Sequence, residues 1–277
     1  MKRIAALMVV VSALSVAAQQ APPVPRTPRT SAPIDITGYW VAVITEDWRW
    51  RMLTPPKGDY ASVPLNDEGR RVADSWNLAK DEAAGLACKP YGIGNIVRMP
   101  GRMHISWQDD TALKVEFDAG TQTRLLRFGP KPDKIAPPTW QGYSAAQWQF
   151  AGPQGTVDRN NTPNGPSPAG AGLGPRDPAR VAPSRGGSLF VATTNFRDGY
   201  LRKNGVPYSA NATITEYFDK VGPEPNGDVI LLVRTVVDDP KYLQLPFITS
   251  THFKLEKDGA KWTPSPCKID PPVETGK

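Results

Sequence analysis

Hydrophobic and polar residues alternate along short segments of this chain, a period-two pattern that is typical of half-buried β-strands. Residues 103–108 (MHISWQ), 113–117 (LKVEF) and 121–128 (TQTRLLRF) follow one another with only short polar turns between them, which predicts a β-meander. Further strands are predicted over residues 38–46, 142–150, 188–195, 212–220, 229–237 and 247–255. A sheet of nine or ten mostly antiparallel strands usually closes into a barrel or folds into a sandwich.

One helix and one short motif refine this fold class. Asn66 and the two acidic residues after it predict a helix start before the apolar positions at 72–79, and Gly85 predicts its end. The first strand opens with residues 38–40 (GYW), and this Gly-x-Trp resembles the opening motif of lipocalins. The resemblance implies a closed barrel with a central cavity. We therefore predict an all-β, antiparallel, lipocalin-like (calycin-like) β-barrel with one short N-terminal helix.

Two segments rich in Pro and Gly interrupt the strand pattern. The chain has 277 residues with 30 Pro and 24 Gly, and many of these fall in residues 19–33 and 151–187. Such segments hold too few large apolar side chains to fold alone. We predict a disordered Pro-rich tether over 19–33 and a disordered Gly/Pro-rich insertion over 151–187, within a single barrel domain that spans 34–277. The alternative for the insertion is a linker between two domains.

The N-terminus and the cysteines both predict export. Residues 1–18 combine a basic start, an apolar run over 4–16 and small residues at the end, as in a secretory signal peptide. The run is short for a bilayer span, and an N-terminal anchor is the alternative. The sequence predicts a periplasmic or secreted protein whose mature chain does not span a membrane. Cys88 and Cys267, the two cysteines of the chain, then predict one disulfide.

Charge and motifs exclude several function classes. The formal net charge is +6, and the basic residues are scattered among acidic ones. A nucleic-acid partner would need a clustered basic stripe. The sequence also lacks the signatures of Ser hydrolases, zinc peptidases, phosphate-binding loops and dinucleotide-binding folds. We predict no nucleic-acid partner, no cofactor and no bound metal.

Several blocks of the sequence resemble a broad group of secreted bacterial proteins of unknown function. The resemblance covers most of the chain from residue 38 onward and implies export and a β-rich fold, without catalytic residues. The blocks are CKPYGIGNIVRMPGRMHISWQDD (88–110), DAGTQTRLLRF (118–128), WQGYSAAQW (140–148), TTNFRDGYLRKNGVPYSANATITEYF (193–218) and DDPKYLQLPF (238–247).

Candidate ligand-binding residues are aromatic, cationic or amide side chains on the strands and in one loop. The loop, residues 197–209 (RDGYLRKNGVPYS), brings together cations, Tyr hydroxyls and an Asn, which suit a carboxylate, a sugar ring or a phenol. The alternative is a hairpin connection whose Tyr side chains pack on the barrel rim. The ligand-binding candidates are Trp107, Arg124, Tyr143, Tyr200, Arg202, Asn204 and Tyr208.

Three residues are candidates for acid–base catalysis. His104 faces the barrel interior if the apolar face of its strand packs under the helix, and faces solvent if the interior is apolar. Beside Arg124, an inward His104 would be a general base with oxyanion support. His252 lies on a strand whose period also permits an inward position. Glu216 shares a face with apolar neighbours, so it is either the partner of a buried Arg or a general acid/base.

These observations predict an exported β-barrel that binds a small ring-containing molecule, a sugar or an aromatic compound, in a central cavity. One alternative is a cofactor-independent lyase, isomerase or hydrolase on the same barrel. The other is a surface or assembly protein that binds a protein partner through residues 151–187.

Overall fold

A closed barrel of nine strands forms the centre of this computed structural model, which describes residues 26–151 and 186–273. The barrel strands are β1 (Gly38–Val43), β2 (Arg102–Asp109), β3 (Ala112–Phe117), β4 (Gln122–Phe128), β5 (Tyr143–Phe150), β6 (Gly187–Thr194), β9 (Thr213–Val221), β10 (Ile230–Asp238) and β11 (Phe247–Glu256), with β7 (Gly199–Tyr200) and β8 (Pro207–Tyr208) as a separate ribbon. The order around the barrel is β1-β11-β10-β9-β6-β5-β4-β3-β2. The predicted all-β barrel is confirmed, and β2, β3 and β4 form the predicted meander.

One neighbouring pair departs from the predicted antiparallel arrangement. β4 and β5 run parallel, with Leu126 opposite Ser144 and Phe128 opposite Ala146. Parallel neighbours need a connection that returns the chain to the end where the first strand began. Residues 129–142 make that return. Within this segment, the side chain of Gln141 donates a hydrogen bond to the Tyr91 carbonyl (2.8 Å). Lipocalins are eight-stranded up-and-down barrels, whereas this barrel has nine strands and one parallel pair. The lipocalin resemblance stays a prediction.

Large apolar side chains fill most inward-facing positions of the barrel. They follow the period-two alternation of each strand, because the outward face meets solvent or covering segments. The cluster buries the aromatic ring of Trp40 completely, and its indole nitrogen donates to the Ile36 carbonyl (3.0 Å). Other members are Met103, Ile105, Leu113, Val115, Leu126, Trp148, Leu189, Val191, Phe218, Leu231, Val233 and Phe253. Among the residues described, these side chains occupy the interior in which the sequence predicted a central cavity, so that position of the cavity is wrong.

The predicted single helix is two short helices. α2 (Asp67–Asp74) begins after Asn66, whose side chain accepts from the Gly69 amide (2.8 Å). α3 (Leu78–Ala83) begins after Asn77, which accepts from the Lys80 amide (3.0 Å). Asn77 is a good N-cap and a poor interior residue, so it restarts the helix instead of continuing it. A further helix that the sequence pattern did not predict, α1 (Trp48–Met52), follows β1.

These helices and the segment 195–212 cover one end of the barrel, called here the capped end. It is the end at which β1 finishes and β11 begins. At this end Trp76 packs directly on Gly205. A second buried apolar cluster also lies there. The members of this cluster are Tyr60, Val63, Leu65, Ala73, Ile93, Phe196, Leu201, Val206, Tyr208, Ala212, Ile214, Val237, Leu243 and Phe247.

The tether prediction is wrong for residues 26–33, which pack on the opposite barrel end. The indole nitrogen of Trp148 donates to the Pro28 carbonyl (2.8 Å), and the Arg29 amide donates to the Asp110 carbonyl (3.1 Å). Pro content alone did not show that these backbone groups have partners on the barrel. The predicted signal peptide over 1–18, and most of the insertion over 151–187, lie outside the described residues.

Strands on both sides of the insertion belong to the same barrel. β5 and β6 pair along their length, with Phe150 opposite Gly187. The predicted disulfide joins Cys88 to Cys267, with a Cα–Cα distance of 5.0 Å. The two-domain alternative therefore fails. Among the helices described, none combines the length and apolar character that crossing a membrane requires.

Candidate functional site

Three aromatic rings gather at the barrel end opposite the capped end, called here the aromatic end. Trp107 of β2, Phe128 of β4 and Trp148 of β5 have ring centroids 5.4–6.5 Å apart. Each ring belongs to the inward face of its strand near the point where the strand reaches this end. Such separations suit offset or edge contacts between rings. The cluster therefore gives the aromatic end an apolar, polarisable wall.

A pocket of about 350 Å³ opens beside this wall. Barrel residues form one side of it, and the N-terminal segment 29–37 forms the other. Six of its nine lining residues are apolar, while polar and apolar atoms contribute about equally to the surface that it exposes. The lining residues are Arg29, Ala32, Ile34, Asp35, Ile36, Thr37, Trp107, Leu113 and Trp148. This volume lies in the range of small-molecule sites, and barrel mouths are common positions for such sites.

Hydrogen bonds to the barrel hold the N-terminal wall of the pocket in place. Besides the bonds of residues 28 and 29 described above, Lys220 of β9 donates to the carbonyl of Asp35 (2.7 Å). The carboxylate of Asp35 accepts from the amide (2.9 Å) and hydroxyl (2.7 Å) of Thr37. The guanidinium of Arg29 lies 3.8 Å from the Asp110 carboxylate and is half exposed. The pocket thus combines an apolar side formed by the barrel with polar groups of the N-terminal segment, in about equal measure.

The predicted cluster of His104 with Arg124 inside the barrel is wrong, because His104 lies on the outer face. Its ring stacks on Tyr39 with centroids 4.1 Å apart and planes 9° apart. Its Nδ1 lies 3.1 Å from a carboxylate oxygen of Glu116. The inward face of the same strand carries Met103, Ile105 and Trp107 instead. Catalytic use of His104 therefore stays a prediction about the outer surface.

His252 also lies on the outer face, with its Nδ1 3.5 Å from a carboxylate oxygen of Glu46. Its inward position, which the strand period allowed, is wrong because Thr251 and Phe253 take the inward face. His104 and His252 pair with Tyr39 and Val43 of β1. These partners are four residues apart along a strand, a separation of about 13 Å. The structure does not bring the two imidazoles together.

Glu216 is the partner of a buried arginine, one of the two alternatives that the sequence left open. Its carboxylate accepts two bonds from Arg124, at 3.0 and 2.5 Å. The same guanidinium donates to the hydroxyls of Ser144 (3.1 Å) and Thr193 (3.3 Å). The two charged side chains are 1% and 0% exposed. This group forms a polar belt across the apolar interior.

The loop candidates lie at the capped end, away from the aromatic pocket. The side chain of Tyr208 is buried in a cradle of Gly92, Gly94 and Gly199, where an added Cβ at any of the three would lie 2.2–2.7 Å from its ring or hydroxyl. The hydroxyl of Tyr200 donates to the buried carboxylate of Asp81 (2.8 Å). Burial and then this carboxylate raise the pKa of Tyr200. These contacts agree with the alternative in which the Tyr side chains pack at the barrel rim.

The remaining candidates also occupy separate places. Asn204 donates to the carbonyls of Pro56 (3.0 Å) and Asp59 (3.1 Å) at the capped end. Tyr143 lies on the outer face of β5 under the guanidinium of Arg127, 5.3 Å away. Of the seven ligand-binding candidates, Trp107 alone lines the aromatic pocket. The described residues contain no group of three or more His, Cys, Asp or Glu side chains that could hold a metal ion.

Sequence reasoning missed the N-terminal wall and Trp148 as pocket residues. Trp148 lies on the same face of β5 as Ser144 and Ala146, so its inward position follows from the period of two once that face is known to point inward. Residues 29–33 gave no signal, since they belong to the predicted Pro-rich tether, and residues 34–37 precede the first predicted strand.

Comparison of the chain with protein-family models, with curated proteins and with solved structures found no match. The resemblance to secreted bacterial proteins therefore stays a prediction, and the functional argument depends on the geometry of the barrel.

Proposed function

We propose that this protein is an exported β-barrel that binds a small molecule with a planar ring in the aromatic pocket. The observation that carries the proposal is the 350 Å³ pocket walled by Trp107, Trp148 and Leu113 at a barrel mouth. An indole face offers a ring ligand both apolar contact and quadrupole attraction, worth about 0.5–1.5 kcal/mol beyond area burial for each aromatic pair.

An aromatic ligand fits the pocket better than a sugar. A sugar ring carries several hydroxyls, and each one that enters an apolar site without a partner costs free energy. The pocket offers polar side chains at three of its nine lining positions. Arg29 and Asp35 lie among these and suit one or two polar substituents of the ligand. The two indoles of the wall favour an aromatic ring, so the ligand proposed is an aromatic compound that carries polar substituents.

Calorimetric titration with indole, phenol and methyl glucoside tests the proposal. We expect indole and phenol to bind and methyl glucoside not to bind. Trp107→Ala removes one wall and should weaken indole binding about tenfold or more, which corresponds to about 1.4 kcal/mol. Trp48→Ala removes an indole that is 60% exposed, outside the pocket, and should leave the affinity unchanged.

The two histidines supply a second control. His104→Ala and His252→Ala alter the outer face of the barrel and should not change indole affinity. Equal indole affinity in wild type and Trp107→Ala, or loss of binding in His104→Ala, would overturn the pocket assignment.

Export is tested separately, by following full-length protein and a variant without residues 1–18 into the periplasmic fraction of a bacterial host. The enzyme and the protein-interaction alternatives stay predictions.

A further inference from the structure

Arg202 is a buried guanidinium that lacks a hydrogen-bond partner. The residue is 1% exposed, and none of its three side-chain nitrogens finds an acceptor among the described residues. Its Cζ lies 4.5 Å from the ring centroid of Trp50, so the indole covers one face of the guanidinium. The five N–H groups of an arginine lie in the guanidinium plane, so an indole stacked on its face does not satisfy them. A buried charge left in this state costs several kcal/mol.

The carboxylates around Arg202 are already bonded to other arginines. Arg98 donates to Asp47 (2.7 Å), Arg51 donates to Glu46 (2.5 Å), and Arg49 donates to Asp59. We call Arg49, Arg51, Arg98 and Arg202 the arginine cluster. Within the described part of the chain, its four guanidinium groups face three carboxylates that pair one to one. Arg202 is left as the excess positive charge.

Two more members of the cluster keep free donors. Arg51 and Arg98 are 2% and 4% exposed, and each has one buried side-chain nitrogen without an acceptor in residues 26–151 and 186–273. Burial and then the charge of Arg98 lower the pKa of Arg202 to about 10, and the charges of Asp47 and Asp59 oppose this lowering. The charge of Arg98 acts in the same direction on Arg51. Arg98 is therefore close enough to repel both Arg202 and Arg51.

The next side chain along the loop has partners of its own. Lys203 is also buried, and its ammonium donates to the Met52 carbonyl (3.3 Å). Burial lowers the pKa of Lys203, and the negative charge of Asp270 opposes this lowering.

We propose that the arginine cluster binds a small oxyanion, of the carboxylate or phosphate class, at the in-plane edge of Arg202. A planar guanidinium matches two oxygens of either group, and charge-assisted bonds of this kind are about twice as strong as neutral ones. The bound anion accepts from Arg202 and balances the excess charge. The site lies at the capped end, so it is independent of the aromatic pocket and of the function proposed for it.

Thermal unfolding at constant ionic strength tests this site. Sodium acetate, phosphate and sulfate are compared with sodium chloride on the full-length protein. We expect at least one oxyanion to raise the Tm by about 5–10 °C over chloride at about 100 times its Kd. The acetate and phosphate arms distinguish the two ligand classes.

Arg202→Met keeps the length of the side chain and removes its charge. This variant should lose the oxyanion-dependent shift, and its Tm in chloride should equal or exceed that of wild type, because an unpaired buried charge is gone. Arg234→Met is the matched control, since Arg234 also stacks on an aromatic ring, 4.6 Å from the centroid of Tyr217 on the outer barrel face. It should retain the full shift.

A crystal soaked in selenate gives a second measurement that does not depend on the variant. An anomalous peak within hydrogen-bond distance of Arg202 supports the proposal. Equal Tm values in all salts, a full shift in Arg202→Met, or selenate only at surface lysines would overturn it.

Discussion

Arg124 and Glu216 form a two-bonded ion pair inside the barrel, at 3.0 and 2.5 Å, and both side chains are almost completely buried. The pair joins β4 to β9 across the interior, since these strands are not neighbours in the sheet. Ser144 and Thr193 complete the belt and hydrogen-bond to each other (2.9 Å). A charged group here is stable only while its partner is present.

Removing one member of this pair should therefore destabilise the fold strongly. We expect Glu216→Gln to lower the free energy of unfolding by about 3–5 kcal/mol, because it leaves the Arg124 guanidinium buried and unpaired. Urea unfolding measures the change. The double variant Arg124→Met/Glu216→Leu should cost much less than the sum of the two single variants. Additive costs would contradict a direct coupling.

Tyr60 should make the fold sensitive to alkaline pH. Burial, followed by the hydrogen bond to the Asp74 carboxylate (2.8 Å), raises its pKa from 10.0 to about 12. Because the folded state holds this proton more tightly, the contribution to stability is complete below pH 10 and is lost as the pH rises to about 12. Unfolding midpoints between pH 9 and 12 should fall less steeply in Tyr60→Phe than in wild type. Parallel curves would show that Tyr60 is not the titrating group.

Gly199 should not tolerate a side chain. A Cβ at this position would lie 2.3 Å from the Tyr208 ring, so the buried ring would have to move. We expect Gly199→Ala to cost about 1–3 kcal/mol of stability in urea unfolding. In a Tyr208→Leu background, which removes the clashing ring atoms, the same change should cost less. An unchanged cost in that background would place the strain elsewhere.

The disulfide should contribute a large part of the stability. Cys88 and Cys267 are 179 residues apart in sequence, and closing so long a loop restricts the unfolded chain. The chain-entropy model gives about 5 kcal/mol as an upper value. Thermal unfolding with and without a reductant, and of Cys88→Ser/Cys267→Ser, measures it. Equal Tm values in all three conditions would show that the covalent link is not needed.

The nine barrel strands were predictable from their patterns of apolar residues, whereas β7 and β8 lie in the segment predicted as a loop. Glu216 was predictable as a possible ion-pair member because its carboxylate stands among apolar neighbours. The orientation of His104 was not predictable, since a period of two defines two faces and does not say which is inward. Trp107, on the opposite face of the same strand, points into the barrel instead.

The remaining features were not predictable because they depend on contacts between segments that are far apart in sequence. The parallel β4–β5 pair depends on the path of residues 129–142, which no local pattern encodes. The arginine cluster joins α1, the turn around Arg98 and the loop around Arg202, three segments that are distant in sequence. Their meeting at the capped end follows from barrel closure.

At the aromatic end, the Ala151 amide donates to the Gly186 carbonyl (3.1 Å). The chain therefore leaves the barrel and re-enters it at one point, whatever lies between. Loop-closure entropy changes by only about 0.6 kcal/mol for each doubling of loop length. Changing the number of residues between 151 and 186 should therefore cost little loop-closure free energy, and we expect a foreign module inserted there to leave the strand register intact.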